Sequence, residues 1–136
     1  MEKLLTTIFV TFIISMQTSF LNCSAEPDQG NCSCAVFRED DSKQTDPIIV
    51  QSLQFEVTCN KDGAEICENL CIGLAQGAQD KAPAIICEKL NKQVDNLKVA
   101  VFTKSCGNDL PTWKYTGLKN PVPICCDMEG KETKCA

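Results

Sequence analysis

Eleven cysteines in 136 residues constrain this chain more than any other feature. A thiol can close a bridge, ligate a metal or run redox chemistry, and each use needs its own spacing and compartment. The compartment is read from the other end of the sequence. Met1 to Ala25 starts with Glu2 and Lys3, continues through an apolar run from Leu4 to Phe20, and closes on Cys23-Ser24-Ala25. That order is the order of a secretory signal peptide, with cleavage expected after Ala25. As a membrane span the run is poor, because Thr6, Thr7, Thr11, Gln17 and Thr18 dilute it and a span needs ~20 predominantly apolar residues. The expected mature chain, residues 26–136, is then one secreted, extracellular domain, too short for two ordinary cores.

Removing Cys23 with the leader leaves ten cysteines: Cys32, Cys34, Cys59, Cys67, Cys71, Cys87, Cys106, Cys125, Cys126 and Cys135. Ten close as five bridges, and in an oxidising compartment this density reads as a disulfide framework. The sequence holds no His and no C-x-x-C, so the spacing of zinc knuckles and of thioredoxin-type redox centres is missing. No metal site and no cofactor is expected.

Hydrophobic periodicity gives a coarse map. Cys32 to Phe37 reads as a short strand, and Arg38 to Pro47 as a charged loop. From Val50 to Cys59 the chain alternates, with Leu53, Phe55, Val57 and Cys59 on one face and Gln54, Glu56 and Thr58 on the other, the period of a half-buried strand. Asn60 to Gly63 turns the chain. Ile66, Leu70 and Leu74 then recur every four residues beside Cys67 and Cys71, which predicts an amphipathic helix from Ala64 to about Gln79 with that apolar row buried. A second helix is expected from Pro83 to Asn96, with Ile86, Leu90 and Val94 inward. Leu97 to Ser105 reads as a strand, Gly107 to Asn120 as a loop holding Trp113 and Tyr115, and Val122 to Cys126 as the last strand. The class is α+β: a small disulfide-rich secreted domain with two helices packed on a short antiparallel sheet.

Cys125 and Cys126, adjacent on a strand, leave opposite faces and take different partners, tying the last strand to two parts of the body while Cys135 holds the terminus. Residues i and i+2 of a strand, like i and i+4 of a helix, lie roughly 6–7 Å apart on one face. Cys32 and Cys34 can therefore bridge to Cys67 and Cys71, one of several connectivities that the sequence leaves open.

The motifs Cys32-Ser-Cys34-Ala-Val-Phe37, Cys67-x3-Cys71, Ala82-Pro83-Ala84-Ile85-Ile86-Cys87, Phe102-x3-Cys106, Trp113, Cys125-Cys126 and Lys134-Cys135 follow one another in an order that resembles the insect follicle cell protein family. The resemblance spans nearly the whole mature chain. It departs from the family pattern near Val94 and Asp95, where a further Cys is absent. It implies a secreted, disulfide-rich protein of insects, named for the ovarian follicle epithelium, with no catalytic activity to carry over.

Without His there is no Ser-His or Cys-His pair, and no enzyme is expected. The acidic pairs Asp40 with Asp41 and Glu129 with Glu132 sit in polar loops and read as solvated charge. Asp40, Asp41 and Asp46 lack the spacing of an EF-hand loop. The net charge is −5, unchanged by loss of Glu2 and Lys3, which disfavours nucleic acid and anionic membranes as partners. Trp113 and Tyr115 are the candidate contact for a protein or glycan, against the alternative that Trp113 fills the core. Asn31-Cys32-Ser33 is a glycosylation sequon at Asn31, where bridging of Cys32 competes with the transferase. Two functions fit: a non-enzymatic structural or interaction component of an epithelial extracellular layer, its partner an extracellular protein or matrix component, or a soluble secreted effector such as a salivary or venom factor or a protease inhibitor. An inhibitor would present residues 107–120 as its exposed loop.

Overall fold

Cys32 to Phe37 is the middle of a ten-residue strand, with apolar residues or cysteines on both faces, and the rest of the molecule is arranged around it. The structure is a computed structural model that describes residue 26, residues 28–106 and residues 112–136. The expected signal peptide lies outside the described residues. In chain order the elements are β1 (Gln29–Arg38), β2 (Ile49–Thr58), α1 (Lys61–Gly77), α2 (Ala82–Leu90), β3 (Val94–Leu97), β4 (Val99–Ser105), β5 (Lys114–Lys119), β6 (Ile124–Cys126) and β7 (Glu132–Thr133). The class is α+β, with two helices and antiparallel strands divided between two sheets. One has four strands in the order β2-β1-β4-β5, and the other has three in the order β3-β6-β7.

β1 is bonded on both edges, pairing Ala35 with Val50 of β2 and with Phe102 of β4. Its inner face carries Cys32, Cys34 and Val36, over which the helices lie. Its outer face carries Ala35 and Phe37, which pack with Ala100 and Phe102 of β4. The expected alternation along β2 holds for Leu53 and Val57, which pack beneath α1. It fails at Phe55, which is half exposed. The register explains the failure: between the pairs Asn31–Glu56 and Ser33–Ser52, one residue of β1 faces three of β2, and Phe55 falls in the widened stretch.

The turn expected at Asn60 to Gly63 is also the start of α1. Asn60 is its N-cap, with the side chain accepting a hydrogen bond from the Gly63 amide at 2.9 Å. Gly63 is required there, since a Cβ would run into the Thr58 carbonyl oxygen at the end of β2. The rotation of α1 differs from the periodicity reading. Gly63, Cys67 and Cys71 are buried, while Ile66, Leu70 and Leu74 are 48%, 38% and 49% exposed. A step of one residue turns a helix by about 100°, and the bridges to β1, rather than the apolar row, choose the inward face.

α2 starts with Pro83 in its first turn and stops earlier than expected, at Asn91, whose left-handed conformation (φ 50°) ends the helix. Val94 is therefore in β3 and not in the helix, although Leu90 and Val94 still pack against the core formed by Ile86, Leu97, Val99 and Ile124. Lys98 separates β3 from β4, so the single strand expected from Leu97 to Ser105 is shared between the two sheets. The loop expected from 107 to 120 contains β5, paired with β4. Gly117 (φ 85°) and the irregular register hide the strand period there. Between β6 and β7, Gly130 (φ 76°) passes so near α2 that a Cβ would lie 2.9 Å from Asn91 Cα.

Two glycines of α1 should respond oppositely to the same substitution. Gly63→Ala should lose about 1–3 kcal/mol through the clash with Thr58, whereas Gly73→Ala, with open space around it, should gain ~0.5–1 kcal/mol. Chemical denaturation of the two variants checks both signs.

Candidate functional site

Among the described residues, five disulfides tie the elements to one another. Cys32 is bonded to Cys67 and Cys34 to Cys71, so two rungs clamp β1 to α1. Cys59 and Cys106 join the ends of β2 and β4, and Cys87 and Cys126 join α2 to β6. Cys125 closes on Cys135. All five Cα–Cα separations fall between 5.3 and 5.6 Å, the ordinary range. Cys125 and Cys126 do take different partners, but only Cys126 reaches the body; the Cys125 bridge stays within the tail. Thr103, buried between the two rungs, places its hydroxyl oxygen 3.1 Å from the Cys67 sulfur and 3.5 Å from the Ser33 carbonyl to which it donates.

Among the described residues one cluster has the composition of a metal site. The sulfurs of Cys32, Cys67 and Cys71 lie within 4.8 Å of one another. Each is a disulfide sulfur, so none offers the thiolate that a metal takes. The carboxylates singled out in the sequence are used locally. Asp41 accepts from the backbone amides of Thr45 and Asp46, shaping the 38–47 loop. Glu129 pairs with Lys131 at 3.0 Å, both well exposed, and Glu132 lies in β7.

Trp113 and Tyr115 lie at the two ends of one aromatic row, with Phe37 and Phe102 between them. Trp113 is half-buried and packs edge-on against Phe37, ring centroids 5.7 Å apart. Tyr115 stacks at a tilt on Phe102 at 5.4 Å and stays 40% exposed. Lys104 approaches the Trp113 ring and Lys119 the Tyr115 ring, at 5.8 and 5.9 Å. The four aromatic rings thus close the outer face of the sheet, with Tyr115 at its rim. Residues 107–111 of the expected inhibitor loop lie outside the described residues. Asn31 is exposed, and alternation along β1 turns it away from Cys32 and α1.

What the sequence reading missed is apolar. Ile66, Leu70 and Leu74 form an exposed stripe along α1, and a cavity of about 240 Å³ opens where α1 ends and α2 begins. The signal for the stripe was present in the cysteine spacing, since Cys67 and Cys71 cannot face β1 while Ile66 and Leu70 do the same.

Across the bridges, the clamp and the tail closure the sequence matches a family profile, the follicle cell protein 3C C-terminal domain, over residues 22–136. The chain belongs to this family. No curated protein and no solved structure matches it. A follicle cell protein domain with five bridges fits a small extracellular protein, and no helix among the described residues is long and apolar enough to cross a membrane.

The bridges should not contribute equally. Cys125 and Cys135 enclose a separation of 10 residues, Cys59 and Cys106 one of 47. Chain entropy assigns about 2.7 kcal/mol to the first loop and ~4 kcal/mol to the second. Replacing each pair by alanines and measuring unfolding should show the tail pair as the milder loss. Trp113→Ala should cost at the low end of the ~3–5 kcal/mol typical of aromatic truncation, and Tyr115→Ala less, in thermal unfolding of the two variants.

Proposed function

We propose that this is a secreted, non-enzymatic component of an epithelial extracellular layer that engages a protein partner through the exposed face of α1. The observation that carries the reading is the stripe of Ile66, Leu70 and Leu74 on a helix that two bridges hold in one rotation. Contiguous apolar surface on a soluble domain marks an interaction site more often than chance exposure, and here the helix cannot roll to hide it. Family membership supports the epithelial setting. The leader-like segment at 1–25 supports secretion. A sequence without His removes the commonest base of hydrolytic chemistry and supports a binding role over catalysis. The net charge of −5 argues for a protein or matrix partner and against nucleic acid.

Antibody staining of source tissues tests the setting. Retention in an extracellular layer around an epithelium is the expected result; accumulation in gland lumen and fluid would overturn it in favour of a soluble effector. Leu70→Glu tests the surface: the variant should be secreted at normal yield and fail to be retained. Normal retention of that variant would remove the stripe from the reading. Asn31, exposed opposite α1, is the proposed glycan site, and glycosidase treatment of the secreted protein should lower its mass, with Asn31→Gln abolishing the shift.

A further inference from the structure

Past Cys71, α1 brings Ala75 against the cavity, and its C-cap Ala78 follows one turn on. These side chains are too short to reach the sheet from a helix whose height is set by the two bridges. The gap they leave is the cavity of about 240 Å³, and α2 closes its far side. All four strands of the four-stranded sheet contribute apolar residues to the floor: Ile49 from β2, Val36 from β1, Val99 and Val101 from β4, and Leu118 from β5. Leu74 and Ile85 stand at its mouth, about half exposed, so the path from solvent is apolar as well.

Two further observations narrow what could enter. Every buried side-chain nitrogen and oxygen among the described residues has a hydrogen-bond partner, so no orphan polar group waits inside for an ion or a water. Among the described residues, Lys119 alone brings a charge to the cavity lining, and its Nζ already lies 3.7 Å from Glu39. The exposed amides of Gln51 and Gln76 supply neutral hydrogen-bonding groups at the rim. In size the cavity exceeds the ~150 Å³ void that accepts benzene and falls short of the ~300 Å³ at which drug-sized pockets begin.

We propose that this cavity binds a small neutral apolar molecule carrying one hydroxyl or carbonyl, of the size of a medium-chain alcohol. The body of the ligand lies across the four strands, and its polar end meets the rim amides. This assignment does not rest on the partner contact proposed for the α1 stripe, with which the cavity shares only Leu74: a layer protein and a soluble effector could each carry the ligand.

The test uses the secreted protein with N-phenyl-1-naphthylamine as a fluorescent probe and 1-octanol and octanoate as competitors. Saturable binding of one probe per chain is expected, displaced by octanol more readily than by octanoate. Ala75→Leu, which fills the cavity, should weaken probe binding about tenfold or more, equivalent to ~1.4 kcal/mol, while Met128→Ser, exposed far along the tail, should change nothing. Should Ala75→Leu fail to be secreted, octanol titration of the unaltered protein followed by NMR decides the matter, with shifts expected at the amides of Val101 and Leu118. Probe binding that Ala75→Leu leaves intact, one probe per two chains, or shifts confined to Ile66 and Leu70 would each overturn the cavity assignment. Stronger competition by octanoate than by octanol would overturn the neutral class.

Discussion

The paired bridges from Cys32 and Cys34 to Cys67 and Cys71 set the geometry on which the other features rest. One bridge would fix a distance between β1 and α1 and leave the helix free to roll about it. Two bridges spaced by i+2 on the strand and i+4 on the helix fix the direction and the rotation together. Because β1 is hydrogen-bonded to both β2 and β4, the clamp orders the whole four-stranded sheet beneath the helix. The remaining bridges act outward from that centre, at the ends of β2 and β4, on α2, and last on the tail.

How much of this is legible from the residues depends on which force decides each element. Strand β1 and the helix start at Asn60 follow local rules, and the sequence reading places both elements within a few residues. The α+β class and the span match between the two cysteine pairs are equally legible. The reading goes astray where a covalent or tertiary constraint outweighs periodicity. On α1 the hydrophobic row of Ile66, Leu70 and Leu74 is the stronger pattern, yet it faces solvent because the cysteines one step away are bonded to β1. At Asn91 a single left-handed residue ends a helix that apolar spacing would carry on to Asn96. In β5 a glycine and a register shift break the alternation that would reveal a strand. Trp113 and Tyr115, two residues apart in the expected loop, come to lie at the two ends of one aromatic cluster, one packed on Phe37 and the other on Phe102 at the rim.

The candidate surfaces are the products of those same overrides, which is why they were not legible. Neither the α1 stripe nor the cavity is a motif. Each arises because the bridges hold a helix in a place and rotation that its own side chains would not choose. A helix free to roll would bury Leu70 and Leu74 against the sheet and fill the void with them. The apolar surface and the apolar hollow are two sides of one displaced rotation.

Such an arrangement has a thermodynamic cost that the bridges can offset. A solvent-open apolar pocket of about 240 Å³ leaves its lining unburied and forgoes the packing contacts that a filled core would make there. An ordinary small domain has a net stability of only ~5–15 kcal/mol, so one held by packing alone has little margin for such a loss. Bridges contribute ~2–4 kcal/mol each by restricting the unfolded chain, and do so whether or not the core is full. Five of them therefore release the interior of this domain from the requirement of close packing. The surface is released in the same way, since a stripe of exposed leucines that would favour rolling or unfolding in an unbridged helix is held in place covalently.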